Sequence, residues 1–265
     1  MEAEGVRSHS RSAENLGAWD MVTRANFLFW RLTKADSESA IAILLEAAKR
    51  YPDYAPAHAM LAFMLLVSRQ VGWRYMEPQV NEAWLHARRA AELDEDEAWA
   101  HLALGYVAMT RRQSDQAIEE YQRALELNPN FAAAHGYLGS ALALDGRSGQ
   151  AIEHLEQAIR MSPQDPQNAL FNVGLGAAHY VAGRYNDAIA CSRKAMQQRF
   201  ALTNAHRLYV ASLAQAGRID EAHAALKRLK ELQPANSIAW IESNIPYTSA
   251  PMAKFLEGMR KAGLT

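Results

Sequence analysis

A period of 34 residues runs through the chain and decides what it can fold into. Ala151, Ala158 and Pro163 step back by 34 onto Ala117, Ala124 and Pro129, while Gly139 lands on Gly105 and His135 on His101. The frame extends in both directions when nine residues are inserted in the second unit and three between the fourth and fifth. It then places alanine at Ala40, Ala83, Ala117, Ala151, Ala188 and Ala222. Seven residues on stand Ala47, Ala90, Ala124, Ala158, Ala195 and, as the exception, Leu229. The unit ends at Pro52, Pro129, Pro163 and Pro234, with Glu95 and Phe200 in the other two places. Each unit reads as two helical stretches joined by a turn, and a unit of this size buries its apolar face only by stacking on its neighbours.

A 34-residue helix-turn-helix period closed by proline resembles the tetratricopeptide repeat. The resemblance implies an all-α, right-handed α-α superhelix of about six repeats with a C-terminal capping helix. The expected organisation is a flexible segment over 1–17 and repeats within 18–236. Those repeats are 21–54, 55–97 with an insertion at 67–79, 98–131, 132–168, 169–202 and 203–236. An incomplete seventh unit and an amphipathic helix fill 237–265. The first helix is expected over 18–32.

The small residues follow from this arrangement. Glycine inside a helix costs about 1 kcal/mol relative to alanine, so Gly105, Gly139 and Gly176 need a reason. They face the alanine column, where paired helices come closest. Gly146, Gly183 and Gly217 fall instead at the turn between the two helices, where a left-handed residue is wanted.

Composition removes several function classes. With 28 Lys and Arg against 29 Asp and Glu, the net charge is −1, without the basic surplus that binds a phosphate backbone. The single Cys191 excludes an internal disulfide framework and makes a reducing, cytoplasmic setting the expectation. The N-terminal stretch lacks the apolar core of a signal peptide. The run from Ala57 to Val67 is too short for a membrane span.

Three features imitate chemistry. His58, His101, His135 and His206 recur at one repeat position, but equivalent residues two helix spacings apart stand about 16 to 20 Å from each other, too far to share a metal. A structural role is expected, and no metal or cofactor. "GLGAAH", Gly174 to His179, lacks the strand and the third glycine of a dinucleotide fingerprint. The run Asp94 to Glu97 reads as a solvated turn whose acids suit the start of the helix entering at Ala98. No nucleophile motif stands out, so the chain is expected not to be an enzyme.

The tetratricopeptide resemblance implies a protein or peptide partner, held in a concave groove lined by the first helix of each unit. The groove positions that clamp chaperone C-terminal carboxylates in one subclass carry Ala25, Ala59, Leu102, Gly136 and Val173 here, so that clamp is absent. An apolar and aromatic groove is expected from Phe63, Trp99, Tyr106, Met109, Tyr137 and Tyr180, with Arg207 as a polar exception; the alternative for each ring is packing between repeats. Trp73 and Tyr75 mark the insertion loop, either as a partner contact or packed over their own repeat.

The ends, "AENLGAWDMVTRANFLFW" and "FLEGMRKAGL", are similar to the C-terminal tetratricopeptide region of bacterial proteins that carry an upstream class III adenylate cyclase or winged-helix domain. That implies a regulatory region as a second reading, and a superhelical arm of a larger transferase is a third. The tail places Met252, Phe255, Leu256 and Met259 at helical spacing. This helix is expected to dock near Leu226, Leu229 and Trp240; the alternative is that it folds back into the groove.

Overall fold

A computed structural model describes residues 13–31, 33–70, 77–199 and 201–265. Among these residues there are fourteen helices and no strand. They are α1 Ala13–Phe29, α2 Lys34–Arg50, α3 Ala55–Gln70, α4 Glu77–Leu93, α5 Ala98–Thr110, α6 Ser114–Leu127 and α7 Ala132–Asp145. The series continues with α8 Ser148–Met161, α9 Asn168–Val181, α10 Tyr185–Gln198, α11 Thr203–Gln215, α12 Ile219–Leu232, α13 Ile238–Asn244 and α14 Ser249–Lys261. The all-helical class expected from the period is therefore present. The first helix begins five residues before the expected Ala18 and ends at Phe29, so residues 13–17 are helical. The rest of the 1–17 segment lies outside the described residues, as do Trp73, Tyr75 and Phe200.

The chain forms two compact units, one running up to Val107 with Glu126–Asn128, the other comprising Ala108–Leu125 and Pro129–Thr265. In the first, α1 packs on α2, α3 on α4, and α2 on α3. In the second, α7 packs on α8, α9 on α10 and α11 on α12; α9 also rests on α8, and α11 on α10. First helices touch first helices as well, α7 against α9 and α9 against α11.

The alanine columns mark the closest packing. All six alanines of the first column, Ala40 to Ala222, and all six residues of the second, Ala47 to Leu229, are fully buried. A Cβ on Gly139 would lie 2.6 Å from Leu155 Cγ and 2.9 Å from the Ala151 carbonyl oxygen, and one on Gly176 would lie 3.1 Å from Cys191 Cβ. Small residues thus stand where the second helix presents its backbone.

The turn glycines have the left-handed backbone expected of them, with φ of 94° at Gly146, 79° at Gly183 and 76° at Gly217. Arg112 occupies the same place in the third repeat and adopts φ 62° without being glycine. In the fourth repeat the Arg147 amide then closes the helix on the Leu142 carbonyl at 2.9 Å, satisfying an orphan acceptor of the helix end.

Candidate binding surfaces

The recurring histidines are tied into their own repeats. The Nε2 of His58 donates to the Pro52 carbonyl at 3.1 Å, which leaves its Nδ1 to accept from Nδ1 of His86 on α4 at 2.8 Å. The pattern returns at His135, with Nε2 on the Pro129 carbonyl and Nδ1 2.9 Å from Nδ1 of His154 on α8. Both ring pairs stack at 5.1 Å. His101 likewise reaches the Glu95 carbonyl. Each imidazole thus anchors the start of its repeat to the end of the preceding one. Burial lowers the pKa of His58, His135 and His154, and burial together with the neighbouring His58 brings His86 down to about 4. Two imidazoles that share one proton between facing Nδ1 atoms are a neutral pair. Among the described residues, no group of three His, Cys, Asp or Glu side chains stands together as a metal site.

The other sequence decoys resolve locally. "GLGAAH" lies in the interior of α9. The acidic run is the turn before α5, with Asp94 accepting from the Asp96 amide and Glu97 from the Trp99 amide. Cys191 is half-buried, and burial pushes its thiol up to about 11, which removes thiolate character at neutral pH.

In the first unit the expected groove residues form an aromatic chain. Phe63 is fully buried and meets Phe29 at 6.3 Å, Trp30 at 6.4 Å and Trp99 at 5.1 Å. Both indoles are half-buried. Trp99 rests on the cluster of Ala59, Ala90 and Ala100. Tyr106 is buried on α5. On α1 itself, Trp19 is 52% and Phe27 73% exposed, two large side chains that the groove reading did not single out.

In the second unit the named residues are buried by partners. Met109 is buried on the end of α5. Tyr137 donates to Gln167 Oε1 at 2.9 Å and crosses Phe171 edge-on at 5.9 Å. Arg207 is 1% exposed; its guanidinium donates to Asn236, Asn204 and Gln233 and lies 4.4 Å over the Trp240 ring. It locks the chain after α12 onto α11.

Tyr180, fully buried, is covered by α14. Its hydroxyl donates to the Lys254 carbonyl at 2.8 Å and its ring meets Phe255 at 5.8 Å. Burial raises its phenol above the usual range. The body of α14 packs on α11, preceded by Thr248, whose amide donates to the Leu144 carbonyl at the end of α7. Lys254 Nζ donates to the Val181 carbonyl at the end of α9, and Lys261 Nζ to Gln215 at the end of α11. The helix thus packs on the first helix of the last repeat and on α13, which carries Trp240, while Ala262 and Gly263 line a shallow hollow with His223 and Leu226 and the Ile238 amide donates to the Thr265 carbonyl. The segment also reaches the ends of the first helices α7, α9 and α11 through these hydrogen bonds. Periodicity showed that α14 must bury one face; the small residue Ala211, against which Gly258 lies, was the signal, unused, for where.

Paired helices, stacked with first helix beside first helix, define a helical-repeat protein. Residues 102–166 and 145–198 match a family model described as "Tetratricopeptide repeat", a family whose members serve in general as protein-interaction modules, so this part of the chain is similar to that repeat. No curated protein sequence matches the chain. Among solved structures, the Cut9–Hcn1 hetero-tetramer of the APC/C is similar at 17% identity and a TM-score of 0.65, covering 96% of this chain and 46% of that one. Pseudomonas aeruginosa PilF is similar at 18% and 0.57, covering 85% and 96%. A thermophilic tetratricopeptide protein of Thermus thermophilus is similar at 18% and 0.56, covering 74% and 98%. These likenesses show the fold. No helix among the described residues is long and apolar enough to cross a membrane.

Proposed function

We propose that the chain is a non-catalytic scaffold that binds a partner protein or peptide on the aromatic surface of its first unit. The observation that carries this reading is the pair of half-buried indoles, Trp30 and Trp99, each packed against the buried Phe63 ring. Tryptophan on a rigid apolar floor is the side chain most often found at the energetic centre of an interface. In the second unit, Tyr137 and Arg207 are engaged by contacts within the fold. The test is selection from a displayed peptide library on the full chain, followed by affinity measurement on Trp30→Ala and Trp99→Ala. A loss of tenfold or more with helical content retained is expected. Unchanged affinity of both variants places the site elsewhere.

The cyclase-type resemblance of the two ends supports a second reading, a regulatory region whose output domain acts on the partner signal. A cytoplasmic setting suits both readings, given the single, half-buried Cys191.

A further inference from the structure

The contact between α14 and the first helices has the form of ligand recognition. The carbonyl of Lys254, in mid-helix, receives Tyr180 Oη at 2.8 Å and Gln215 Nε2 at 3.4 Å. A helical carbonyl is ordinarily shielded by the side chain one turn further on; here that residue is Gly258. A Cβ at Gly258 would stand 2.5 Å from Tyr180 Oη, 3.0 Å from the Ala211 carbonyl oxygen and 3.2 Å from Ala211 Cβ. The glycine therefore opens the carbonyl and lets α14 lie close on α11. Around this point Phe255, Leu256 and Met259 are buried while Ala253, Glu257, Arg260 and Lys261 face out.

Both alanine columns lie buried on the second helices, whereas α14 packs chiefly on α11, a first helix. It covers instead Tyr180, Ala211 and Gln215 on α9 and α11, after a non-helical stretch from Ile245 to Thr248.

We propose that the face carrying Tyr180, Ala211 and Gln215 is a helix-binding site, that α14 is its built-in occupant, and that its outside ligand is an amphipathic helix of another protein patterned as residues 254–259, basic-aromatic-apolar-any-glycine-methionine. The glycine is the specificity element, since any larger residue there both covers the carbonyl and strikes the Ala211 backbone. The tethered α14 competes at an effective concentration in the mM range, so an outside helix binds when α14 is released. This proposal is independent of the Trp30 and Trp99 surface, which lies in the other unit.

The test uses the full chain and a labelled peptide of residues 249–265 as the probe. Gly258→Leu in the chain ejects α14 while raising its intrinsic helix propensity, so lost docking is not lost helicity. The variant is expected to bind the peptide at least tenfold tighter than the unsubstituted chain does. A peptide that itself carries Gly258→Leu is expected to bind neither chain, and Tyr180→Phe added to the variant is expected to weaken peptide binding severalfold. Equal binding by both chains, or none by either, overturns the proposal. So does a variant that loses its helical content or its cooperative melting transition, because α14 is then part of the fold rather than an occupant of it.

Discussion

Gly139 shows how much one hydrogen atom decides in this molecule. In an isolated helix, Gly139→Ala would be worth about 1 kcal/mol in favour of the helix. The added methyl would lie 2.6 Å from Leu155 Cγ and 2.9 Å from the Ala151 carbonyl oxygen, and only the first of these contacts belongs to a side chain that yields. Overpacking of this kind costs about 1 to 3 kcal/mol, so the packing penalty wins. Gly139→Ala is expected to lower the urea midpoint, with Gly149→Ala as the control that rises or stays level, because a Cβ on Gly149 meets nothing within 4 Å. The alanine column and these glycines were legible because the 34-residue frame makes the chain its own alignment. The left-handed Arg112 was not, since a lone arginine at the turn position carries no mark of a positive φ.

At the scale of the helix, the paired stretches of each repeat follow the period, whereas the tail does not. Spacing showed α14 as amphipathic, and it is; spacing says nothing about which surface receives an amphipathic helix. That choice rests on Tyr180, Ala211 and Gln215, brought together only when α9 and α11 stack. The same limit applies to the histidines, whose structural role was legible from their separation while their partners His86 and His154 were not. Helix α13 is held in part by one side chain of α11. Arg207 is buried, stacked on Trp240, and bonded to Asn236 and Gln233. Lysine matches neither the planar stack nor the fork of donors. Arg207→Lys is therefore expected to cost about 2 to 4 kcal/mol through unsatisfied buried partners. Hydrogen exchange is expected to show it first as lost protection across Ile238–Asn244; full protection there would mean that α13 is held by other contacts.

Across the whole molecule, the histidines couple stability to pH in one direction. His58 and His86 in the first unit, and His135, His154 and His179 in the second, all have pKa values lowered chiefly by burial. Charged neighbours modulate this: Arg89 lowers and Asp53 raises His58, while Arg184 lowers and Asp187 raises His179. The native state thus binds fewer protons than the unfolded chain, in which each imidazole titrates near 6.5. Linkage then requires stability to be fully present above pH 6.5 and to fall as pH drops towards the lowered native values, which reach about 4 at His86. Protonation also breaks each facing pair, because Nδ1 of His58 or His135 ceases to accept. The urea midpoint is expected to stay level between about pH 8 and 7 and to decline steadily between about 6.5 and 4. The chain itself suggests the control, since the place held by His86 and His154 carries Ala225 in the last repeat. The double variant His86→Ala, His154→Ala is expected to be less stable at about pH 8 but to lose distinctly less on acidification to about pH 5. A variant whose decline parallels that of the unsubstituted chain would assign the acid sensitivity to groups other than the stacked imidazoles.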